Sequence, residues 1–151
     1  MGRLIPAQHR ELIATGGLLA GFLVHNLIYP LASQGIVGAV LFYLLYAGLF
    51  PAATWLLVSD GRLRGLSLIS GLVTFAFGLF YTQNGTGGAA LGLYGASVVY
   101  HLIMIGVLAN YTFARKNVLT EVLLAATALF LIIGSAFGAL HALIEWLAPG
   151  S

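Results

Sequence analysis

The chain contains no cysteine. Disulfides, thiolate metal sites, iron–sulfur ligation and a cysteine nucleophile are therefore excluded. Charge is nearly as scarce. Six Lys and Arg and four Asp and Glu make up 7% of the 151 residues, against roughly 25% in soluble domains. Three long stretches, Leu12–Ser59, Gly65–Ala114 and Val122–Ile144, carry no charge at all. The net charge of +2 comes without a basic patch interleaved with aromatics, which argues against nucleic acid as a partner. No lysine lies within an apolar stretch, so a retinal-type Schiff base is excluded. The sequence also lacks a Walker loop, a glycine-rich dinucleotide turn and paired carboxylates placed to share a reaction.

What remains is apolar: 60% of residues are hydrophobic and the mean hydropathy is +1.02. Water cannot be the solvent for such a surface, whereas hydrocarbon can, because apolar faces then need no burial. A span needs about 20 apolar residues to cross a core of ~30 Å. The first charge-free stretch is long enough for two spans, with a break at Pro30, Ser33, Gln34 and Gly35. The second breaks at the turn-rich run 83–88, Gln-Asn-Gly-Thr-Gly-Gly. The expected fold is an all-α integral membrane protein, a five-transmembrane-helix bundle forming one domain over 1–151. Its spans are expected at about 12–32, 36–58, 66–82, 89–113 and 118–147. By this reading span three is the shortest and span five the longest, with Asn117 or Thr120 capping span five and Glu121 in its first turn. Pro51 should kink span two, because it leaves the carbonyl of Ala47 without its usual donor.

The start of the chain, with Arg3 and Arg10 ahead of an apolar run, has the outline of a secretion signal. The run is too long for one, however, and Pro30 or Leu31 stands where a small residue is wanted, so an uncleaved first span is expected. Five spans place Arg3, Arg10, Arg62, Arg64, Arg115 and Lys116 on one side of the membrane. That side is then cytoplasmic, with the N-terminus inside and the C-terminus outside. A prokaryotic cytoplasmic membrane is the default location. The triplet Asn84-Gly85-Thr86 matches a glycosylation acceptor, but pressed against the bilayer it reads as a turn.

Polar groups inside a span are costly and mark sites of interest. His25 lies in span one, His101 in span four and His141 in span five, with Glu145 one turn beyond His141. At ~1.5 Å per residue, His101 falls near the midplane, with His25 about 5 Å and His141 about 12 Å further outward. Small or polar residues recur at helical spacing: Gly17, Gly21, His25 and Tyr29 on span one; Gly71 and Gly78 on span three; Gly134, Gly138, His141 and Glu145 on span five. The glycines are candidate helix-packing positions.

Three readings of the histidines compete. His25 and His101 could ligate a b-type haem in an electron-transfer subunit. His25, His101, His141 and Glu145 could line a proton or ion path in a small transporter or channel. Or the histidines hydrogen-bond to neighbouring helices and hold the bundle together. With loops too short for a soluble substrate, the favoured reading is an accessory or anchoring subunit of a larger membrane assembly, or a small homo-oligomer, and not an enzyme by itself. Its expected partners are the lipid bilayer and other membrane subunits or further copies of itself. Tyr43, Tyr46 and Phe50 are read as bulk.

Overall fold

The computed structural model describes residues 7–28, 30, 35–115, 117 and 119–150. Among them are five α-helices: α1 (Ala7–Leu27), α2 (Ile36–Leu57), α3 (Gly61–Asn84), α4 (Gly87–Phe113) and α5 (Thr120–Leu147). The connectors at 58–60 and 85–86 are so short that they turn the chain straight back, making neighbours antiparallel. Each helix packs on its sequence neighbours, α5 closes on α1, and α2 touches α4 across the middle. Among the described residues four helices, α2 to α5, are long and apolar enough to cross a membrane. This is a polytopic helical bundle of the kind integral membrane proteins form. α1 is the shortest helix, 21 residues, and it carries Arg10, Glu11, His25 and Asn26.

Several helix ends differ from expectation for local reasons. α3 begins at Gly61, five residues early, because the Asp60 carboxylate caps it by accepting from the Arg62 N–H at 2.8 Å. The charged loop is thus the first turn of the helix, and α3 is 24 residues long rather than the shortest span. It ends at Gly85, whose left-handed φ of 57° lets its N–H close on the Tyr81 carbonyl at 2.8 Å. Thr86 then caps α4 by accepting from the Ala89 N–H, so the Asn84-Gly85-Thr86 triplet is spent on a helix stop and a helix start. Neither Asn117 nor Thr120 caps α5. The N-cap is Leu119 and makes no side-chain bond, while Glu121 does lie in the first turn. α1 starts at Ala7 and ends at Leu27, before the expected boundary. Tyr29, Ser33 and Gln34 fall outside the described residues.

Pro51 organises the centre. It withholds the N–H that the Ala47 carbonyl would accept within α2. Tyr100 of α4, fully buried, replaces it: its hydroxyl donates to the Tyr46 carbonyl at 2.9 Å and reaches the Ala47 carbonyl at 3.3 Å. On the other side α3 comes close at Gly71. A Cβ there would stand 2.5 Å from the Ala47 oxygen and 3.2 Å from the Pro51 ring. Around this junction Phe50, Leu18, Met104, Leu108, Ala125, Ala128 and Ile132 form the core.

The packing glycines divide into two groups. A Cβ at Gly21 would meet the Leu49 side chain, and one at Gly78 the Tyr43 ring. At Gly17, Gly134 and Gly138 it would meet nothing within 4 Å. Gly92, not singled out in the sequence, lies against the Phe77 ring.

The outside is apolar. In each of the four long helices no more than 33% of the most apolar window is buried, and Phe113, Phe130 and Leu27 are each at least 75% exposed. Such a surface suits acyl chains.

Replacing Gly71 by Ala should force α2 and α3 apart and destabilise the bundle by about 1–3 kcal/mol. Gly17→Ala should be neutral or mildly stabilising. Tyr100→Phe, which leaves the Ala47 carbonyl without a donor, should cost about 1 kcal/mol. Thermal unfolding in detergent measures all three.

Candidate functional site

Helical periodicity assembles the site from three helices. Phe22 and His25 share a face of α1 at spacing three. Phe42 and Tyr46 share a face of α2, and Ser97 and His101 a face of α4, each at spacing four. These faces converge in the half of the bundle where α1 and α3 end. His25 is 8% exposed and His101 3%. The His25 ring stacks on Phe42, centroids 4.3 Å apart, and on Tyr46 at 4.8 Å. The Tyr46 hydroxyl lies 3.0 Å from Ser97 Oγ, 3.1 Å from His101 Nδ1 and 3.3 Å from His101 Nε2. His101 Nδ1 is 2.7 Å from the Ser97 carbonyl.

A carbonyl oxygen only accepts, so Nδ1 of His101 carries the proton and donates to Ser97. In the neutral ring Nε2 is then the acceptor, and the Tyr46 hydroxyl is the donor within reach of it. Ser97 Oγ completes the chain by donating to the Tyr46 oxygen. His25 differs: its Nδ1 is buried and has no hydrogen-bond partner among the described residues. Such an orphan is costly unless something satisfies it.

His25 and His101 line a cavity of about 320 Å³. Phe22, Phe42, Tyr43, Tyr46, Tyr81 and Tyr94 give it aromatic walls, and Asn26, Ser97 and Ser135 add polar groups. Gly138, Ala139 and Ala142 form the α5 side. Tyr81 and Tyr94, with ring centroids 6.4 Å apart, belong to α3 and α4 near the turn that joins them. Among the described residues no Asp, Glu, Lys or Arg lines the cavity.

Of the four groups considered for a proton path, two come together here, linked through Tyr46. His141 is exposed on α5 and does not line the cavity. Glu145 is exposed as well, and its Oε1 accepts from the Gly150 N–H at 3.1 Å, at the end of the same helix. A haem bridging His25 and His101 does not fit. Both nitrogens of His101 have partners, and the Tyr46 ring, 4.8 Å from one imidazole and 5.7 Å from the other, fills the space a macrocycle would need. Among the described residues no three His, Asp or Glu side chains gather to hold a metal.

Two groups escaped the sequence reading. Tyr46, read as bulk, is the link between the histidines; its spacing of four from Phe42 gave its face but not what stood opposite. At the other end of the bundle, Glu11 of α1 accepts from the Tyr111 hydroxyl at 2.9 Å and from Arg115 Nη2 at 2.8 Å. The Arg115 guanidinium also lies 4.9 Å over the Tyr111 ring. The bond from Glu11 raises the Arg115 pKa above its ordinary value. Glu121, 3% exposed, lies in the first turn of α5. The Glu11–Arg115 pair thus ties α1 to the α4–α5 turn.

No family model matches the chain, and no curated protein or solved structure shows significant similarity to it.

Proposed function

We propose that the protein crosses the membrane five times, with its N-terminus in the cytoplasm of a prokaryotic cell. In this reading it binds a small, uncharged, planar lipophile in the cavity at the outer half of its bundle. The fifth span would be α1. Its 21 residues reach about 31 Å at ~1.5 Å per residue, the thickness of a hydrocarbon core. Its polar groups lower its hydropathy, yet Thr15 and His25 are buried inside the bundle and Glu11 is paired with Arg115. Its exposed large apolar side chains are Leu12, Ile13, Leu23, Val24 and Leu27, and the exposed Asn26 spends its amide on the Phe22 carbonyl. With five spans all six Lys and Arg fall on one side, as the positive-inside rule requires.

The observation that carries the ligand reading is the orphaned His25 Nδ1 in an aromatic cavity. About 320 Å³ is within the range of small-molecule sites. The absence of a charged lining selects a neutral ligand, since a buried charge there would lack a partner. Aromatic walls favour a flat ring, and the imidazole favours a ring bearing a carbonyl or hydroxyl oxygen. A quinone or quinol head group has this chemistry.

A second reading, an accessory subunit or homo-oligomer, rests on α5. Gly134 and Gly138 form a small-xxx-small pair on an exposed face flanked by Phe130 and Phe137, with open space where each Cβ would stand. Such a pair admits another helix at close range.

The absence of cysteine makes topology testable. Single cysteines placed by His9→Cys, Arg62→Cys and Asn84→Cys should react with an impermeant maleimide on intact cells only at position 84. Labelling at position 9 would remove α1 from the spans, and equal labelling at 62 and 84 would overturn the topology. For the ligand, equilibrium dialysis of the detergent-solubilised protein with menadione should show saturable binding. His25→Phe, which keeps the stack, should weaken it about five- to tenfold, and Ala139→Phe, which fills the cavity, should abolish it. No saturable binding, or binding indifferent to both changes, would refute the reading. For assembly, light scattering in mild detergent should find an oligomer that Gly134→Leu dissociates; a wild-type monomer would refute it.

A further inference from the structure

On the other half of the bundle, α2 and α3 leave a second hollow between them, opening on the apolar outer surface. Its volume is about 410 Å³. The small residues Ala47, Gly48, Pro51, Ala52 and Gly71 make its floor, and Leu44, Leu68, Leu72 and Phe75 its walls. Pro51 of α2 and Gly71 of α3, neither carrying a bulky side chain, face each other across this space. The groove runs from Leu44 to Trp55 along α2 and from Arg64 to Phe75 along α3. Each is twelve residues, and the eleven steps between their ends span about 16 Å at ~1.5 Å per residue. That is close to half of a ~30 Å hydrocarbon core, the depth of one leaflet. Its lining is apolar throughout, with one charged group, Arg64, at its mouth.

Arg64 is held in place. Its Nε donates to the Val58 carbonyl at 2.7 Å, which ends α2, and its guanidinium lies 5.0 Å over the Trp55 ring. Among the described residues no carboxylate pairs with it, the one ion pair there being Arg115–Glu11. Asp60, the nearest acid in sequence, is engaged with the Arg62 N–H at the start of α3. Among the described residues no acceptor is seen for the Nη donors of Arg64. Trp55, 60% exposed, is a ring of the kind that settles at head-group level.

We infer that this groove is a binding site for one anionic phospholipid, with an acyl chain between α2 and α3 and its phosphate on Arg64. A groove one leaflet deep, ending at a fixed cation and an indole, matches a lipid in length, polarity and charge. A basic group between two spans at the cytoplasmic surface is a general means of selecting anionic head groups. In the topology proposed above the lipid belongs to the cytoplasmic leaflet. The site is distinct from the outer cavity, and either can fail without the other.

Trp55 supplies the readout. In a Trp146→Phe background it is the sole tryptophan. The protein is reconstituted into phosphatidylcholine vesicles containing phosphatidylglycerol, with one or the other lipid brominated, and Trp55 quenching is compared. Phosphatidylglycerol should be preferred at Trp55 by about fivefold, the effect of one basic residue near an anionic head group. Arg64→Gln should bring the preference to about one, and molar salt should reduce it. Gly48→Leu, whose side chain enters open space in the groove, should lower quenching by phosphatidylglycerol while leaving the helical content intact. Equal quenching by the two lipids in the wild-type groove, or a preference that survives Arg64→Gln, would overturn the assignment.

Discussion

Hydrocarbon offers no hydrogen bonds, so every polar group within the bundle must find its partner in the protein. That constraint explains most of the interior. Thr15, Thr74, Thr82 and Thr127 each donate to the carbonyl four residues earlier, and Asn26 does the same to Phe22. They become tolerable in a span because their donors are spent on their own helix. Ser67 of α3 instead donates across to Thr54 of α2 at 3.3 Å, both fully buried. Where Pro51 frees a backbone carbonyl, the hydroxyl of Tyr100 arrives from α4, and the absent side chain of Gly71 lets α3 close over the same point. Three helices are thereby locked at one peptide unit.

Measured against that rule, His25 Nδ1 is an exception. His101 has a settled tautomer and a partner for each nitrogen; His25, stacked on two aromatic rings, has none for its Nδ1 among the described residues. The difference gives the half of the bundle where α1 and α3 end its functional interest, since an unsatisfied group beside a cavity is a ready contact for a ligand. The two ends of the molecule are built on different chemistry. One gathers Arg10, Arg62, Arg64 and Arg115 with Glu11, Asp60 and Glu121, and there the Glu11–Arg115 ion pair and two cation–aromatic contacts hold helix ends together. The other has no cation in its described connectors and is lined by phenols and imidazoles. The proposed sites follow this division: an anionic lipid at the charged end, a neutral ring at the aromatic one.

Much of the architecture was legible beforehand. The charge-free stretches gave the helices and their number, the run 83–88 gave a turn, and Pro51 gave the point where α2 lacks a backbone donor. Boundaries were less legible where a polar residue played a local part that hydropathy does not register. Asp60 draws two arginines into α3, and Thr86 starts α4. Among the glycines, spacing alone could not separate Gly71, pressed against a backbone oxygen, from Gly17 or Gly134, which face open space. The same holds for the histidines. His25, His101 and His141 each sit on a small or polar helix face, yet only the first two meet.

The sequence by itself determined the apolar character of this protein's surface and its helical class, because those properties are sums over local residues and need no knowledge of neighbours. Tertiary structure alone decided which polar groups touch: that Tyr46 joins His25 to His101, that Tyr100 answers Pro51, that Glu11 reaches Arg115. Those contacts depend on the rotation of each helix about its axis. That rotation is set by the fit of glycine, proline and aromatic side chains across interfaces, and no single helix carries it.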